Sequence, residues 1–201
     1  MKNKSHRCQK EWLFLNQSTR KITITGVLGA IAVFLGVTGL GFIPVPDPNI
    51  AGDATIMHVP AILGGVLEGP VVGIIVGAVF GLFSMLNANS PIFADPLVSI
   101  FPRLFVGLVA YLAFTGLKGV SLYLAWIAAG FLGTLTNTTL VLSMAYLRGY
   151  ITWAAVVDII PQFIAEAVIA IVLTIAIARG IELYKSGRDS WYADQDEQDI
   201  V

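Results

Sequence analysis

Four polar residues are placed where they could bind a solute. Asp158, Gln162 and Glu166 follow one another at intervals of four residues, and on a continuous helix this spacing puts all three on one face. Arg103 lies in another apolar stretch, eight residues past Asp95, as Glu166 lies eight past Asp158. Both therefore lie about 12 Å into their segments. Such groups usually face a bundle interior or a cavity, so an Arg103–Glu166 pair would be either a clamp between helices or the floor of a solute pocket. The pocket is favoured.

Further candidates come from three other segments. Asn137 lies near Thr134 and Thr138, and its amide is the better ligand group because threonines in helices often bond to their own backbone. His58 precedes a Val-Pro pair, where it would either line the pocket or be a satisfied histidine at the membrane interface. Asn87 lies at the end of an apolar segment and is expected at the pocket mouth.

A proline-rich loop precedes His58. It runs from Pro44 to Asp53 and holds three prolines in its first five positions, with Gly52 near its end. Prolines stiffen the chain and the glycine frees it. Such a loop would be either a lid over the site, with Asp53 at its edge, or a simple connector.

Signatures of catalysis are missing from the sequence. There is no phosphate-binding loop, no G-x-S-x-G elbow, and no His/Cys cluster at metal-ligand spacing. A net charge of −1 argues against a nucleic-acid partner. We expect neither enzymatic activity nor a metal or cofactor.

The elements that position these residues must be membrane helices. The chain is 56% hydrophobic and 12% charged, and residues 22–46 and 119–147 contain no charge at all. Each of these stretches exceeds the roughly 20 residues that cross a bilayer. The fold class predicted is an all-α integral membrane protein with six transmembrane helices, at about 22–43, 55–68, 70–87, 95–117, 120–147 and 155–184.

The basic residues predict the orientation. With the N-terminus inside, ten of the twelve Lys and Arg residues fall on the cytoplasmic side, as the positive-inside rule requires. Both termini are then cytoplasmic. Residues 1–21 form an interfacial segment without a signal peptide, residues 22–184 form the bundle, and residues 185–201 form an acidic tail expected to be disordered.

Small residues are frequent in the first predicted helix. Gly26 and Ala30 form one small-xxx-small pair, and Ala32 and Gly36 form another. Such pairs let a second helix approach closely. They would serve either packing within the bundle or docking to a partner subunit.

Two motifs identify a family resemblance. The segment Thr55–Gly73, with its Val59-Pro60-Ala61-Ile62-Leu63-Gly64-Gly65 core and its Glu68-Gly69-Pro70 break, resembles the second-to-third helix signature of S-components of energy-coupling factor (ECF) vitamin transporters. Phe101–Gly107 is similar to that family as well. The similarity extends over about 22–184 and is strongest to the riboflavin and pantothenate branches.

The resemblance implies a function and a set of partners. An S-component captures a vitamin outside a prokaryotic cell, in the plasma membrane, and docks on one membrane scaffold subunit with two ATPases. The positions matching the docking face are Gly26, Ala30, Ala32 and Gly36. The solute would contact the first external loop and the outer halves of helices four to six, which correspond here to the Pro44–Asp53 loop, Arg103, Asn137, Gln162 and Glu166.

The substrate is left open among three vitamins. An unpaired Arg103 would suit the carboxylate of pantothenate, whereas an Arg103 neutralised by Glu166 would favour riboflavin or cobalamin. Two other functions are also open. One is a proton-coupled carrier using Asp158 and Glu166, and the other is a membrane adaptor that binds no solute.

Overall fold

The computed structural model describes residues 2–43, 54–88 and 90–198, and most of them are helical. The Pro44–Asp53 loop and its Asp53 lie outside the described residues. The elements, in chain order, are α1 (Lys2–Val37), β1 (Phe42–Ile43), β2 (Ala54–Thr55), α2 (Val59–Glu68), α3 (Pro70–Leu86), a 3-10 turn (Pro91–Ala94), α4 (Pro96–Ser99), α5 (Phe101–Leu117), α6 (Leu122–Leu147), α7 (Trp153–Asp158) and α8 (Ile160–Gln198).

Four helical segments in the described chain are long and apolar enough to cross a membrane. They are Ser18–Val37, Pro96–Leu117, Leu122–Leu147 and Val156–Tyr184. Helices α2 and α3 are apolar but shorter, with 10 and 17 residues. Gly69 separates them with a positive φ of 105°, a conformation that favours glycine, and Pro70 begins α3. The count of six spanning helices stays a prediction, because α2 alone is about 15 Å long.

A glycine-lined crossing holds α2, α3 and α5 together. A Cβ on Gly73 would lie 2.8 Å from the Cα of Gly107, and one on Gly65 would meet the Gly107 carbonyl oxygen. These distances leave no room for a side chain, so the backbones themselves are in contact. The main apolar core surrounds this crossing and includes Ile62 and Val106, both fully buried.

A second cluster lies beside the ends of α4 and α6. Asp95 accepts a hydrogen bond of 3.0 Å from the Leu97 amide and one of 2.6 Å from Nε of Arg148. Val98 and Ile151 are buried next to it. This ion pair ties the start of α4 to the turn after α6.

The helix expected to carry Asp158, Gln162 and Glu166 on one face is broken. Helix α7 ends at Asp158 and α8 begins at Ile160. Pro161 accounts for the break, since proline has no N–H to donate to the carbonyl of Val157 one turn earlier, and it is tolerated in the first turn of α8. Asp158 is exposed while Gln162 and Glu166 are buried, so the prediction of one polar face is wrong for Asp158.

Both ends of the chain are more helical than expected. Helix α1 begins at Lys2 rather than near residue 22 and ends at Val37 rather than 43. Helix α8 continues through Gln198, where a disordered tail was expected. No proline lies between residues 162 and 198, so nothing forces α8 to stop where its apolar stretch ends.

Candidate solute-binding site

A cavity of about 680 Å³ opens among α1, α3, α5, α6 and α8. Its volume is in the range of sites for small organic ligands. Its lining is Gly36, Val37, Phe42, Thr55, Met57, Phe80, Phe83, Ser84, Asn87, Ala88, Ser90, Phe93, Arg103, Asn137, Thr138, Val141, Leu142, Ile159, Gln162 and Glu166. The wall is therefore mainly apolar, with a few polar groups that can orient a ligand.

Arg103 provides the positive charge in this lining. It lies in the first turn of α5, is 3% exposed, and donates from Nη1 to the carbonyl oxygen of Val98. Its guanidinium carbon lies 5.2 Å from the ring centre of Phe80 and 5.4 Å from that of Phe93. Its Nε has no hydrogen-bond partner among the described residues. The cation is thus held by a carbonyl and two aromatic rings, with donors left over.

Glu166 brings a carboxylate from α8 to the same cavity. Its Oε1 accepts a hydrogen bond of 2.7 Å from the backbone amide of Thr55 and one of 3.3 Å from Nε2 of Gln162. It therefore fastens strand β2 to α8. The ion pairs within the described chain are Arg20–Glu68, Arg148–Asp95 and Arg179–Glu182. The direct pair of Arg103 with Glu166, which their depth made possible, is not among them.

Amide side chains supply the remaining polar lining. Asn137 on α6 is 5% exposed, and its Oδ1 has no partner in the described structure. Asn87 ends α3 at the cavity, where its Nδ2 donates to the Phe83 carbonyl oxygen at 3.2 Å. Gln162 is buried beside Glu166. Five sequence candidates, namely Asn87, Arg103, Asn137, Gln162 and Glu166, are thus brought to one cavity.

His58 is placed elsewhere. It is fully buried, and its Nε2 lies 2.9 Å from Oγ1 of Thr134. The Thr134 hydroxyl donates its only hydrogen to the Gly130 carbonyl oxygen. The hydroxyl oxygen must therefore accept the hydrogen bond from Nε2–H of His58. His58 is not part of the cavity lining, and it joins α2 to α6. The structure therefore places His58 between two helices rather than in the cavity, and its Nδ1 has no hydrogen-bond partner among the described residues.

The proposed docking positions fall on two sides of α1. Gly26 and Ala30 are exposed, and nothing lies within 4 Å of a Cβ placed on Gly26. Ala32 is fully buried, whereas a Cβ on Gly36 would meet Phe83 and Met57. Ala32 is therefore enclosed within the protein, and Gly36 packs against the two side chains at the edge of the cavity.

Sequence reasoning missed the residues whose role depends on the backbone or on apolar contact. Phe80, Phe83 and Phe93 line the cavity, and the Thr55 amide holds Glu166. A phenylalanine in an apolar helix gives no signal that separates a cavity wall from the core. The amide of Thr55 gives none either, since every residue except proline carries one.

The fold and cavity define a class, namely helical membrane proteins with a cavity of a size that suits a small organic molecule. The family model described as the substrate-specific component of ECF transporters matches residues 20–178. Since this match covers most of the chain, the protein belongs to that family.

A solved structure agrees with this assignment. The chain is similar to the S component of a bacterial ECF transporter, with a TM-score of 0.62 and 23% sequence identity over 83% of this chain and 98% of that chain. At this identity the likeness supports the fold alone. No curated protein matches the sequence.

Proposed function

We propose that this protein captures a water-soluble vitamin in the cavity and delivers it for ATP-driven uptake. Family membership supports a substrate-binding component. The observation that carries the proposal is the polar lining. Arg103 and Asn137 are both at least 95% buried, and each has a side-chain polar atom without a partner among the described residues. Buried polar groups are normally satisfied. His58 and Thr174 also have an unpartnered polar atom but lie outside the lining, whereas Arg103 and Asn137 line the cavity, where a solute is the natural partner.

The volume of the cavity limits which vitamins could fit. About 680 Å³ suits a molecule as large as pantothenate or riboflavin. Cobalamin, with its corrin ring and nucleotide loop, is several times larger than pantothenate. We therefore favour the two smaller candidates, with Arg103, Asn137, Gln162, Glu166 and Asn87 as polar contacts.

The energy for uptake would come from partner subunits. The sequence has no phosphate-binding loop, so a scaffold subunit and two ATPases would supply the work. We place the protein in the plasma membrane of a prokaryote with both termini in the cytoplasm, because ten of its twelve basic residues then lie inside. Residues 22–184 would form the six-helix bundle.

The first test identifies the solute. We would denature purified, detergent-solubilised protein, examine the released compounds by mass spectrometry, and titrate riboflavin, pantothenate and cobalamin by calorimetry. We expect one stoichiometric vitamin with submicromolar affinity. Asn137→Leu should weaken its binding about 5- to 100-fold, because a polar group of the ligand would lose its partner.

Ser143→Leu is the control on the same helix, since Ser143 is exposed and lies outside the cavity lining. An equal loss of affinity in the two variants would contradict the assignment of the site. If no solute co-purified and none of the three vitamins bound, the adaptor function would become the leading one. Uptake that needed a proton gradient but no ATPase would favour the carrier.

A second test concerns docking. Gly26 and Ala30 form the exposed small-residue surface of α1, and we propose it as the contact with the scaffold. Gly26→Leu and Ala30→Leu should abolish co-purification with a co-expressed scaffold and its ATPases while vitamin affinity stays within about twofold, because close helix contacts need small residues. Val172→Leu, on an exposed part of α8, is the control. Unchanged complex formation in the α1 variants would refute this surface.

A further inference from the structure

We infer that the solute is a monocarboxylate that also carries hydrogen-bond donors such as hydroxyl or amide N–H groups. This inference rests on the proposed function, because it concerns the ligand of the same cavity. It selects organic acids over neutral vitamins such as riboflavin. We infer the chemistry of the solute from the polar side chains of the lining. Some of their donors and acceptors already have partners within the protein, and the remaining ones are free to contact a solute.

Arg103 requires an anion. A guanidinium has five N–H groups, and among the described residues Arg103 donates only to the Val98 carbonyl oxygen. It makes no ion pair in the described chain. A buried cation without an anion in direct contact carries a desolvation penalty. The rings of Phe80 and Phe93 offset part of that penalty, and a ligand anion would offset the rest.

Glu166 does not contact Arg103 directly in the described structure. Its Oε1 is already held by the Thr55 amide and the Gln162 side chain. These bonds fix the carboxylate at strand β2, away from a direct contact with Arg103. The two opposite charges therefore lie in one cavity without a direct ion pair, and a solute could contact both.

The anion should be a carboxylate rather than a phosphate. Arg103 is the single Lys or Arg in the described lining, and Glu166 lies in the same lining. A phosphate ester with nearly two negative charges would meet one cation and one repelling carboxylate. A carboxylate carries one charge and matches the planar geometry of a guanidinium.

The hydrogen-bond acceptors in the lining are the reason to expect hydrogen-bond donors on the solute. Asn137 Oδ1 has no partner in the described structure, and an amide oxygen can only accept. The Glu166 carboxylate also only accepts when ionised. A solute with hydroxyl or amide N–H groups at one end and a carboxylate at the other would satisfy Asn137, Glu166 and Arg103 together.

Pairs of acids and their neutral analogues test this inference. We would titrate the detergent-solubilised full-length protein with pantothenate and pantothenol, and with biotin and biotinamide. We expect one acid to bind with submicromolar affinity and its neutral analogue to bind about 10- to 100-fold more weakly, since a hydrogen bond to a charged group contributes about 1.5–3 kcal/mol.

Arg103→Gln separates a specific contact from damage to the fold. This substitution should lower the affinity for the acid about 10- to 100-fold and the affinity for the neutral analogue only a few-fold. The two affinities should therefore become similar. Arg179→Gln is the control, because Arg179 lies outside the cavity lining and pairs with Glu182 on its own helix. It should keep the preference for the acid.

Several results would overturn the inference while leaving the proposed function intact. They are equal affinity for an acid and its analogue, equal weakening of both by Arg103→Gln, or a stoichiometric co-purified vitamin without a carboxylate. Submicromolar riboflavin binding that survives Arg103→Gln would have the same meaning. Folded protein that co-purified with no solute and bound no vitamin at all would instead refute the proposed function, and this inference with it.

Discussion

Replacing Gly107 by alanine is expected to destabilise the protein strongly and to weaken solute binding with it. A Cβ at this position would lie 2.6 Å from the carbonyl oxygen of Gly73, and backbone atoms of two packed helices cannot yield as a flexible side chain would. Overpacking of this kind costs about 1–3 kcal/mol or more. We expect the upper end of that range, because α5 must move away from both α2 and α3.

The expected consequence is a midpoint of thermal unfolding lower by about 6–12 °C, measured on the detergent-solubilised protein by tryptophan fluorescence. Solute affinity should fall in the same variant, since Arg103 lies one turn before Gly107 on α5 and moves with it. Stability and binding are thus linked through the position of one helix.

Gly116→Ala supplies the matched control on the same helix. Nothing lies within 4 Å of a Cβ placed on Gly116, and alanine favours a helix over glycine by about 0.5–1 kcal/mol. The control should therefore unfold at the same temperature as the wild type or slightly higher. If the two substitutions had equal effects, the close crossing of α3 and α5 would be wrong.

The polar pocket residues could be predicted because their side-chain type alone is informative. An arginine, a glutamate or an asparagine in an apolar segment is costly to bury, and this cost is what indicates Arg103, Asn137 and Glu166 in the sequence. All three line one cavity. What could not be predicted is which neighbour satisfies each of them, because the neighbours are the Val98 carbonyl and the Thr55 amide, and backbone groups are the same at every position.

Two predictions differ from the structure, namely the shared polar face that includes Asp158 and the single docking face on α1. In both cases the sequence already contained evidence for the observed arrangement. Pro161 lies between Asp158 and Gln162, and its effect on the preceding turn outweighs the regular spacing. In α1, Ala30 and Gly36 are six residues apart. At 3.6 residues per turn, their positions differ by about 120° around the helix axis. The two small-residue pairs therefore cannot share one surface, as the exposure of Gly26 and the burial of Ala32 show.

The carboxylate of Glu166 provides a second large expected effect, because it joins strand β2 to α8. Glu166→Leu should remove the acceptor of the part-buried Thr55 amide, and loss of a hydrogen bond of this kind costs about 1–3 kcal/mol. The midpoint of thermal unfolding should fall by about 2–12 °C. Solute affinity should fall at least about tenfold, because Thr55 itself lines the cavity and would no longer be held in place.

Glu166→Gln distinguishes the acceptor from the charge. Glutamine keeps an oxygen that can accept from the Thr55 amide. The free energy of unfolding of this variant should therefore lie within about 1 kcal/mol of the wild-type value. Glu182→Leu is the control on the same helix, since its pair with Arg179 is partly exposed and such pairs contribute about 0–1 kcal/mol. Should Glu166→Gln be as damaging as Glu166→Leu, the negative charge rather than the bond to Thr55 would be the stabilising feature, and the separation of Glu166 from Arg103 would need another explanation.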